Sequence, residues 1–253
     1  MRELNIPVTT HGRILIDDAG TGPPLRILAG CHGYAQNADE MMELLRRIPA
    51  DPSWTRVSIQ ALHRFYRGRG PATVASWMTR QDRDLLVGDN VAYVDEAIAV
   101  VAGASPIERL VFCGFSQGVA MAFRAGLLGA RKADAVLALG GDVPPELLAR
   151  AGPGSHLDSC VIDSSSTDLS NQLWKSQKSR YDPRGTTGIK FPRVLLARGS
   201  RDEWYVDEQM RADELALKTR GTHVQTLTFD GGHEWHETFS VRAAAMLSWA
   251  VDA

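Results

Sequence analysis

Residues 109–118 read RLVFCGFSQG. An apolar run, Leu110-Val111-Phe112-Cys113, breaks into Gly114-Phe115-Ser116-Gln117-Gly118, and Val119-Ala120-Met121-Ala122-Phe123-Arg124-Ala125 then continues without a helix breaker. A buried strand, a tight turn between glycines and a helix form the setting that a G-x-S-x-G turn requires. An ordinary serine hydroxyl is a weak nucleophile. A sharp turn carries Ser116 Oγ clear of the backbone, where a base can reach it, and leaves the Gln117 N–H aimed at a developing oxyanion. Side chains at 114 and 118 would collide with the neighbouring strand and helix, which explains glycine at both positions.

The rest of the chain is compatible with this setting. It has 253 residues, enough for one α/β domain over 1–253 with a full core. Its hydrophobic share of 44% and charged share of 23% are those of a globular protein. A formal net charge of −2 argues against a nucleic-acid partner held by bulk electrostatics. The first twenty residues lack the apolar core of a signal peptide, and no apolar run reaches membrane-spanning length, so a cytoplasmic protein without stable membrane insertion is expected. The three cysteines suggest no disulfide framework, and Cys31 and Cys113 end apolar runs as buried thiols would.

Taken in order, strand-like runs fall at 13–17, 25–30, 57–62, 135–139, 193–198 and 224–229, besides the run that leads to Ser116. Glycines and prolines at 20–24 read as a turn between the first two. Helix-like segments fall at about 39–47, 82–102, 205–220 and 236–251. The alternation predicts a mostly parallel central sheet with helices on both faces. Residues 63–81 read as irregular. The serine-rich stretch 152–190, helical at most from Leu169 to Lys178, reads as a lid or loop insertion.

In such a sheet, functional groups gather beyond the carboxyl ends of the strands. Those places carry His32-Gly33, Ser116, Asp202 and His233. Ser…Asp…His is the chain order of an α/β-hydrolase triad, with His233 as general base and Asp202 holding its imidazole. Asp142, after an earlier strand, and Glu203 are rival acids; His236 is a rival base, but it stands where the last helix should begin. His233-Glu234-Trp235-His236 lacks the i, i+4 histidine spacing of a zinc-binding helix, so no metal is expected. Tyr34, directly after His32-Gly33, is the candidate for the second oxyanion N–H beside Gln117.

At these residues the chain resembles the phospholipase/carboxylesterase branch of the α/β-hydrolases, which includes acyl-protein thioesterases. The matching pieces are the His32-Gly33 loop, Gly114-Phe115-Ser116-Gln117-Gly118, Gly199-x-x-Asp202 and Gly232-His233, spread from about residue 25 to the end. The resemblance implies a cofactor-free serine esterase acting on carboxylic esters or thioesters. Three features depart from the branch: Val119 where another glycine is common, HGYAQN in the oxyanion loop, and the 152–190 insertion.

Phe115, Trp204 and Trp235, with Tyr34 and Trp77, suggest an apolar substrate pocket. The arginines at 64–83 are placed either to receive an anionic group or simply to face solvent. The expected activity is hydrolysis of small or medium uncharged esters through an acyl-enzyme on Ser116. The alternatives are a thioesterase or lysophospholipase on longer chains, or a small-molecule-binding relative without catalysis. The expected partner is a small-molecule ester, with a homodimer left open.

Overall fold

The run that carries the G-x-S-x-G turn forms β6 (Ile107–Phe115), the central strand of a seven-stranded sheet. The computed structural model describes residues 1–18, 22, 24–150 and 190–249. On one side of β6 lie β2 (Leu25–Cys31), β3 (Trp54–Gln60) and β1 (Arg13–Asp17). On the other lie β7 (Ala135–Leu139), β8 (Arg193–Gly199) and β9 (Val224–Phe229). All neighbours are parallel except β1, which runs antiparallel to β3 at the edge. The expected turn at 20–24 therefore joins strands that do not pair, because β3 lies between β1 and β2.

Helices α1 (Ala38–Arg46) and α6 (Glu237–Trp249) cover one face, and α2 (Arg83–Ala102), α3 (Gln117–Leu128) and α5 (Asp207–Lys218) cover the other. A short α4 (Pro145–Arg150) follows β7. Strand residues alternate between the faces with the period of two that a pleated backbone imposes. Leu110 and Phe112 pack with Val91, Phe123 and Leu217, whereas Val111 and Cys113 pack with Met41, Leu45 and Phe239. Helix α1 begins at a capping box: Asn37 Oδ1 accepts the Glu40 N–H at 2.9 Å, and Glu40 Oε2 accepts the Asn37 N–H at 3.2 Å.

Residues 63–81 are not irregular throughout. They contain an antiparallel hairpin of β4 (His63–Tyr66) and β5 (Thr73–Ser76). Four-residue strands separated by the Gly- and Arg-rich segment 67–72 give a weak alternation, and pairing outweighs it. The Ala75 N–H donates to Gln36 O at 2.8 Å and the Ala35 N–H to Ala75 O at 3.1 Å, which ties β5 to the loop after β2. The expected insertion at 152–190 falls, Lys190 apart, outside the described residues.

Between β6 and α3 the backbone makes an abrupt turn at Ser116, at φ 54° and ψ −121°. This conformation is rare for a side chain larger than glycine and costs of order 1–3 kcal/mol unless its surroundings fix it. Here they do. The Ser116 N–H donates to Leu139 O at 2.9 Å, and Ser116 O accepts the Val119 N–H at 3.0 Å. A Cβ at Gly114 would lie 2.5 Å from Gly118 O, within the turn of helix that follows. A Cβ at Gly118 would lie 2.0 Å from Cys31 O, on the neighbouring strand.

Two loops at the same end of the sheet are stitched together by one buried carboxyl. Asp213 Oδ2, on α5, accepts the Val143 N–H and the Tyr205 O–H, both at 3.0 Å. Burial pushes the Asp213 carboxyl up to about 6 with help from Asp142, against the opposing pull of the Val143 and Tyr205 hydrogen bonds.

Two outcomes follow. Gly118→Ala should lower stability by about 3 kcal/mol or more, a fall of roughly 6–12 °C in Tm, because backbone atoms cannot yield to the added methyl. Gly70→Ala, whose Cβ would meet only Arg67 O at 3.9 Å, is the matched control. Equal melting temperatures for the two would refute the close approach at Gly118. For Asp213, a folded-state value of about 6 against an ordinary 3.8 means that the folded chain holds the proton more tightly. Its contribution to stability is present below about pH 4 and is lost as pH rises through about 6. The Tm of Asp213→Asn minus that of the wild type should therefore become more positive between pH 4 and pH 7. A difference independent of pH would show that Asp213 titrates normally.

Candidate active site

Three chain segments that end β6, β8 and β9 bring Ser116, Asp202 and His233 together. His233 Nε2 lies 2.8 Å from Ser116 Oγ, and His233 Nδ1 lies 2.9 Å from Asp202 Oδ2 and 3.1 Å from Oδ1. An ionised carboxylate only accepts, so Nδ1 carries the proton and donates it to Asp202. This leaves the Nε2 lone pair to accept the Ser116 O–H. The Asp202 side chain is 1% exposed, while the imidazole is 21% exposed and open on one side.

Asp202 is held by its own turn. Its Oδ1 also accepts the Trp204 N–H at 2.9 Å and the Tyr205 N–H at 3.1 Å. Behind the turn stands Arg198, buried near the end of β8. Its Nε donates to Tyr205 O at 2.8 Å and its Nη2 to Asp202 O at 3.3 Å. Nothing in the sequence pattern points to this role beyond an arginine near the end of an apolar strand. Asp142 makes no hydrogen bond to the imidazole, whose Nδ1 is taken by Asp202. It is exposed beyond Gly140-Gly141, and its carboxylate acts electrostatically on Tyr205 and Asp213 instead. Glu203 is exposed as well.

Gly140 explains how the imidazole fits. At φ +67°, it takes a left-handed conformation, and a Cβ there would lie 3.1 Å from His233 Cε1 and 3.3 Å from Asp202 Oδ2. On the opposite side, Phe115 stacks on His233 with ring centroids 5.3 Å apart. The second histidine has a different task. His236 Nδ1 accepts the Thr238 N–H at 3.2 Å, His236 O accepts the Phe239 N–H at 3.1 Å, and its ring stacks on Phe229. His236 thus caps α6, and the two histidines direct their ring nitrogens at separate partners.

The loop after β2 lies against the turn: a Cβ on Gly33 would be 3.3 Å from Ser116 Cβ. Within this loop the Gly33 N–H donates to Gln36 Oε1 at 2.7 Å, the Ala35 N–H to Ala75 O and the Gln36 N–H to Gly33 O. The Tyr34 N–H is the one left without an acceptor among the described residues. At the start of α3, the Gln117 N–H belongs to the first turn, where no intrahelical acceptor exists. The Gln117 side chain is used elsewhere. Its Oε1 accepts the Trp77 N–H at 2.9 Å and its Nε2 donates to Met78 O at 3.1 Å, which pins the segment after β5 beside the serine.

His32, at the centre of the loop motif, is structural. Its Nε2 accepts the Ala61 N–H at 3.0 Å, so the proton sits on Nδ1, 2.7 Å from Gly33 O. Burial holds this imidazole below its ordinary pKa and keeps it neutral.

A cleft of about 300 Å³ opens beside Ser116, and Trp77, Met78, Gly141, Asp142 and Trp204 are among the residues that line it. Of the five aromatics expected near the pocket, Trp77 and Trp204 line it, and Trp204 is 79% exposed. Phe115 and Trp235 are placed differently. Phe115 backs the imidazole, and Trp235 packs edge-on against Phe239 while its Nε1 donates to Ser240 Oγ at 2.9 Å. Both were candidates by proximity in sequence to Ser116 and His233, and both turn toward the α6 side of the sheet. Tyr34 is exposed, and its ring lies tilted against Phe65 with centroids 5.6 Å apart. Among the described residues no helix is long and apolar enough to cross a membrane.

No protein-family model matches the chain, and no curated protein matches its sequence. Solved structures do match its shape. Esterase PE8 superposes with a TM-score of 0.63 at 18% identity, over 96% of this chain and 100% of that one. The carboxylesterase of Bacillus cereus gives 0.63 at 12% identity, over 94% of each chain. Acyl-protein thioesterase 2 of Zea mays gives 0.62 at 17% identity, over 95% of this chain and 100% of the other. At these identities the likeness is one of architecture: the chain has the α/β-hydrolase fold, in the form also built by carboxylesterases and acyl-protein thioesterases.

Proposed function

We propose that the chain is a serine hydrolase of carboxylic esters, acting on small or medium acyl groups through an acyl-enzyme on Ser116. The observation that carries this reading is the continuous hydrogen-bonded line from Asp202 through His233 to Ser116 Oγ, with links of 2.9 and 2.8 Å. In the first half-reaction Ser116 Oγ bonds to the acyl carbon while His233 Nε2 takes its proton. The oxyanion that forms lies against the Tyr34 and Gln117 N–H groups. Collapse of the tetrahedral species breaks the bond to the alcohol oxygen, which leaves with the proton from His233. Water then repeats the sequence, releasing the acid and restoring Ser116. Asp202 keeps the imidazole in the productive tautomer and stabilises its protonated form.

The similarity in fold to esterases and to an acyl-protein thioesterase supports hydrolysis of an ester or thioester. The cleft of about 300 Å³ that the described residues line beside Ser116 has room for a short or medium acyl group.

Labelling of purified protein with a fluorophosphonate, followed by intact mass, should give one adduct that disappears in Ser116→Ala. Folded protein that remains unlabelled would refute an activated serine. On a soluble aryl ester, Asp202→Asn should lower kcat by roughly 10³–10⁴ through the wrong imidazole tautomer, and Asp142→Asn by far less. The reverse ranking would transfer the role of the acid to Asp142. Across an acyl series, kcat/KM should peak at short or medium chains; a clear peak at long chains would favour a lysophospholipase or thioesterase.

A further inference from the structure

The helix that follows Ser116 presents one stripe to the cleft: Gln117, Ala120 and Arg124, at the i, i+3, i+7 spacing of a helix face. Ala120 is small, so the cleft continues along α3 from the serine to Arg124. That arginine is unusual. It is 4% exposed, yet it borders the cleft, and its Nε and Nη2 both donate to Glu146 Oε1 at 2.9 and 2.7 Å. Arg83, also on the cleft wall, donates from Nη2 to Glu146 Oε2 at 3.4 Å. The Arg124 Nη1 group has no acceptor among the described residues.

One carboxylate therefore serves two guanidinium groups at the far end of the cleft. Although burial pushes the Glu146 carboxyl up, Arg124 and Arg83 together with backbone hydrogen bonding hold it below its ordinary value, so it stays ionised. Among the described residues these three side chains leave one uncompensated positive charge, and both guanidinium groups border the cleft. Asp142, which also lines the cleft, carries a compensating negative charge among the described residues. Placement within the cleft, and not net charge, therefore decides what binds where. A structural ion pair between α3 and α4 would need only Arg124 and Glu146. It would not need Arg83, and it would not need Arg124 to border the cleft.

We propose that Arg124 and Arg83 bind a carboxylate at the distal end of the acyl group, so that the substrates are esters of dicarboxylic acids cleaved at one end. This rests on the reading of Ser116 as the nucleophile, and it replaces the uncharged ester expected from the sequence. Arg124 stands eight residues beyond Ser116, about 12 Å of helix rise, and its side chain leans back toward the helix N-terminus. That leaves a span of roughly four to six bonds between the scissile carbonyl and the distal carboxylate, which matches an adipate-like acyl group. A planar guanidinium that spends its Nε and Nη2 on Glu146 and keeps Nη1 in reserve is suited to a further carboxylate there.

The test compares mono-para-nitrophenyl adipate with para-nitrophenyl hexanoate, its neutral counterpart of equal length, and with para-nitrophenyl ε-aminocaproate. At low salt the adipate ester should be preferred over hexanoate by about tenfold or more in kcat/KM, mainly through KM, and added salt should reduce the preference. The ratio should fall toward one in Arg83→Gln and in the double variant Arg124→Leu/Glu146→Leu. The double variant removes both members of the buried pair and avoids a stranded charge. Parity in the wild type would overturn the proposal, and a preference for the aminocaproate ester would overturn it in favour of a cation held by Asp142. Calorimetric titration of Ser116→Ala with monomethyl adipate and methyl hexanoate separates this proposal from the catalytic one. Tighter binding of the adipate, lost when Arg124→Leu/Glu146→Leu is added, upholds the carboxylate site even if no ester is turned over. Equal binding rejects the site even if Ser116 is labelled.

Discussion

Everything at the functional end of this molecule depends on how closely α3 approaches β2. A Cβ at Gly118 would lie 2.0 Å from Cys31 O and 2.6 Å from His32 O, so the helix is seated directly on the carboxyl end of the strand. That seating drives the chain through the turn at Ser116, and it brings the loop of Gly33 and Tyr34 against the serine. The strained backbone at Ser116 is then a consequence of packing that the core fixes on both sides, with Val119 buried beneath it and Gly141 pressed against its carbonyl. Strain held in this way keeps the hydroxyl in one place without needing a hydrogen bond to the hydroxyl itself.

The same constraint orders the neighbouring groups. Because the helix start is fixed, the Gln117 side chain can pin Trp77 and Met78, and these line the cleft. Because two glycines follow β7, the imidazole can occupy the space over Gly140 while the turn at Ser116 backs onto Gly141. The acid loop is positioned by polar groups with little solvent contact: Arg198 holds its carbonyls, and Asp213 holds Tyr205 and Val143. Hydrogen bonds in such a setting fix geometry more than they add stability, since each replaces a bond to water.

Much of this was legible in the sequence, and for physical reasons. Apolar strands of five to nine residues between helices of helical periodicity leave few architectures, and the parallel sheet follows from them. Ser116, Asp202 and His233 stood out because they follow separate strands at one end of the sheet. Long-range packing hid the rest. The pairing of β1 with β3 depends on partners distant in sequence, and the β4–β5 hairpin is too short to show a period. Phe115 and Trp235 were adjacent in sequence to site residues, but the pleat and the start of α6 turn their rings away from the cleft. Arg124 looked like an ordinary helix residue, since nothing local reveals that Ala120 clears the space before it or that Glu146 arrives from α4.

The two carboxylates that follow β7 and β8 show how context assigns a role that composition leaves open. Asp142 and Asp202 are the same residue at similar places in the topology. Asp202 lies in a turn whose own N–H groups, at Trp204 and Tyr205, are aimed at its Oδ1, and it is almost wholly shielded from water. Its carboxylate is therefore held in place before the imidazole is added, and the oxygen facing His233 is fixed in direction. Asp142 has no such donors among the described residues and stands in solvent, next to the buried Asp213 whose ionisation it opposes. A carboxylate without a preorganised shell would have to reorient as the imidazole gains charge, and that reorganisation is what a fixed acid avoids. Of these two aspartates, only Asp202 has backbone donors aimed at its carboxylate among the described residues, and that preorganisation is what favours it for the proposed role of the acid.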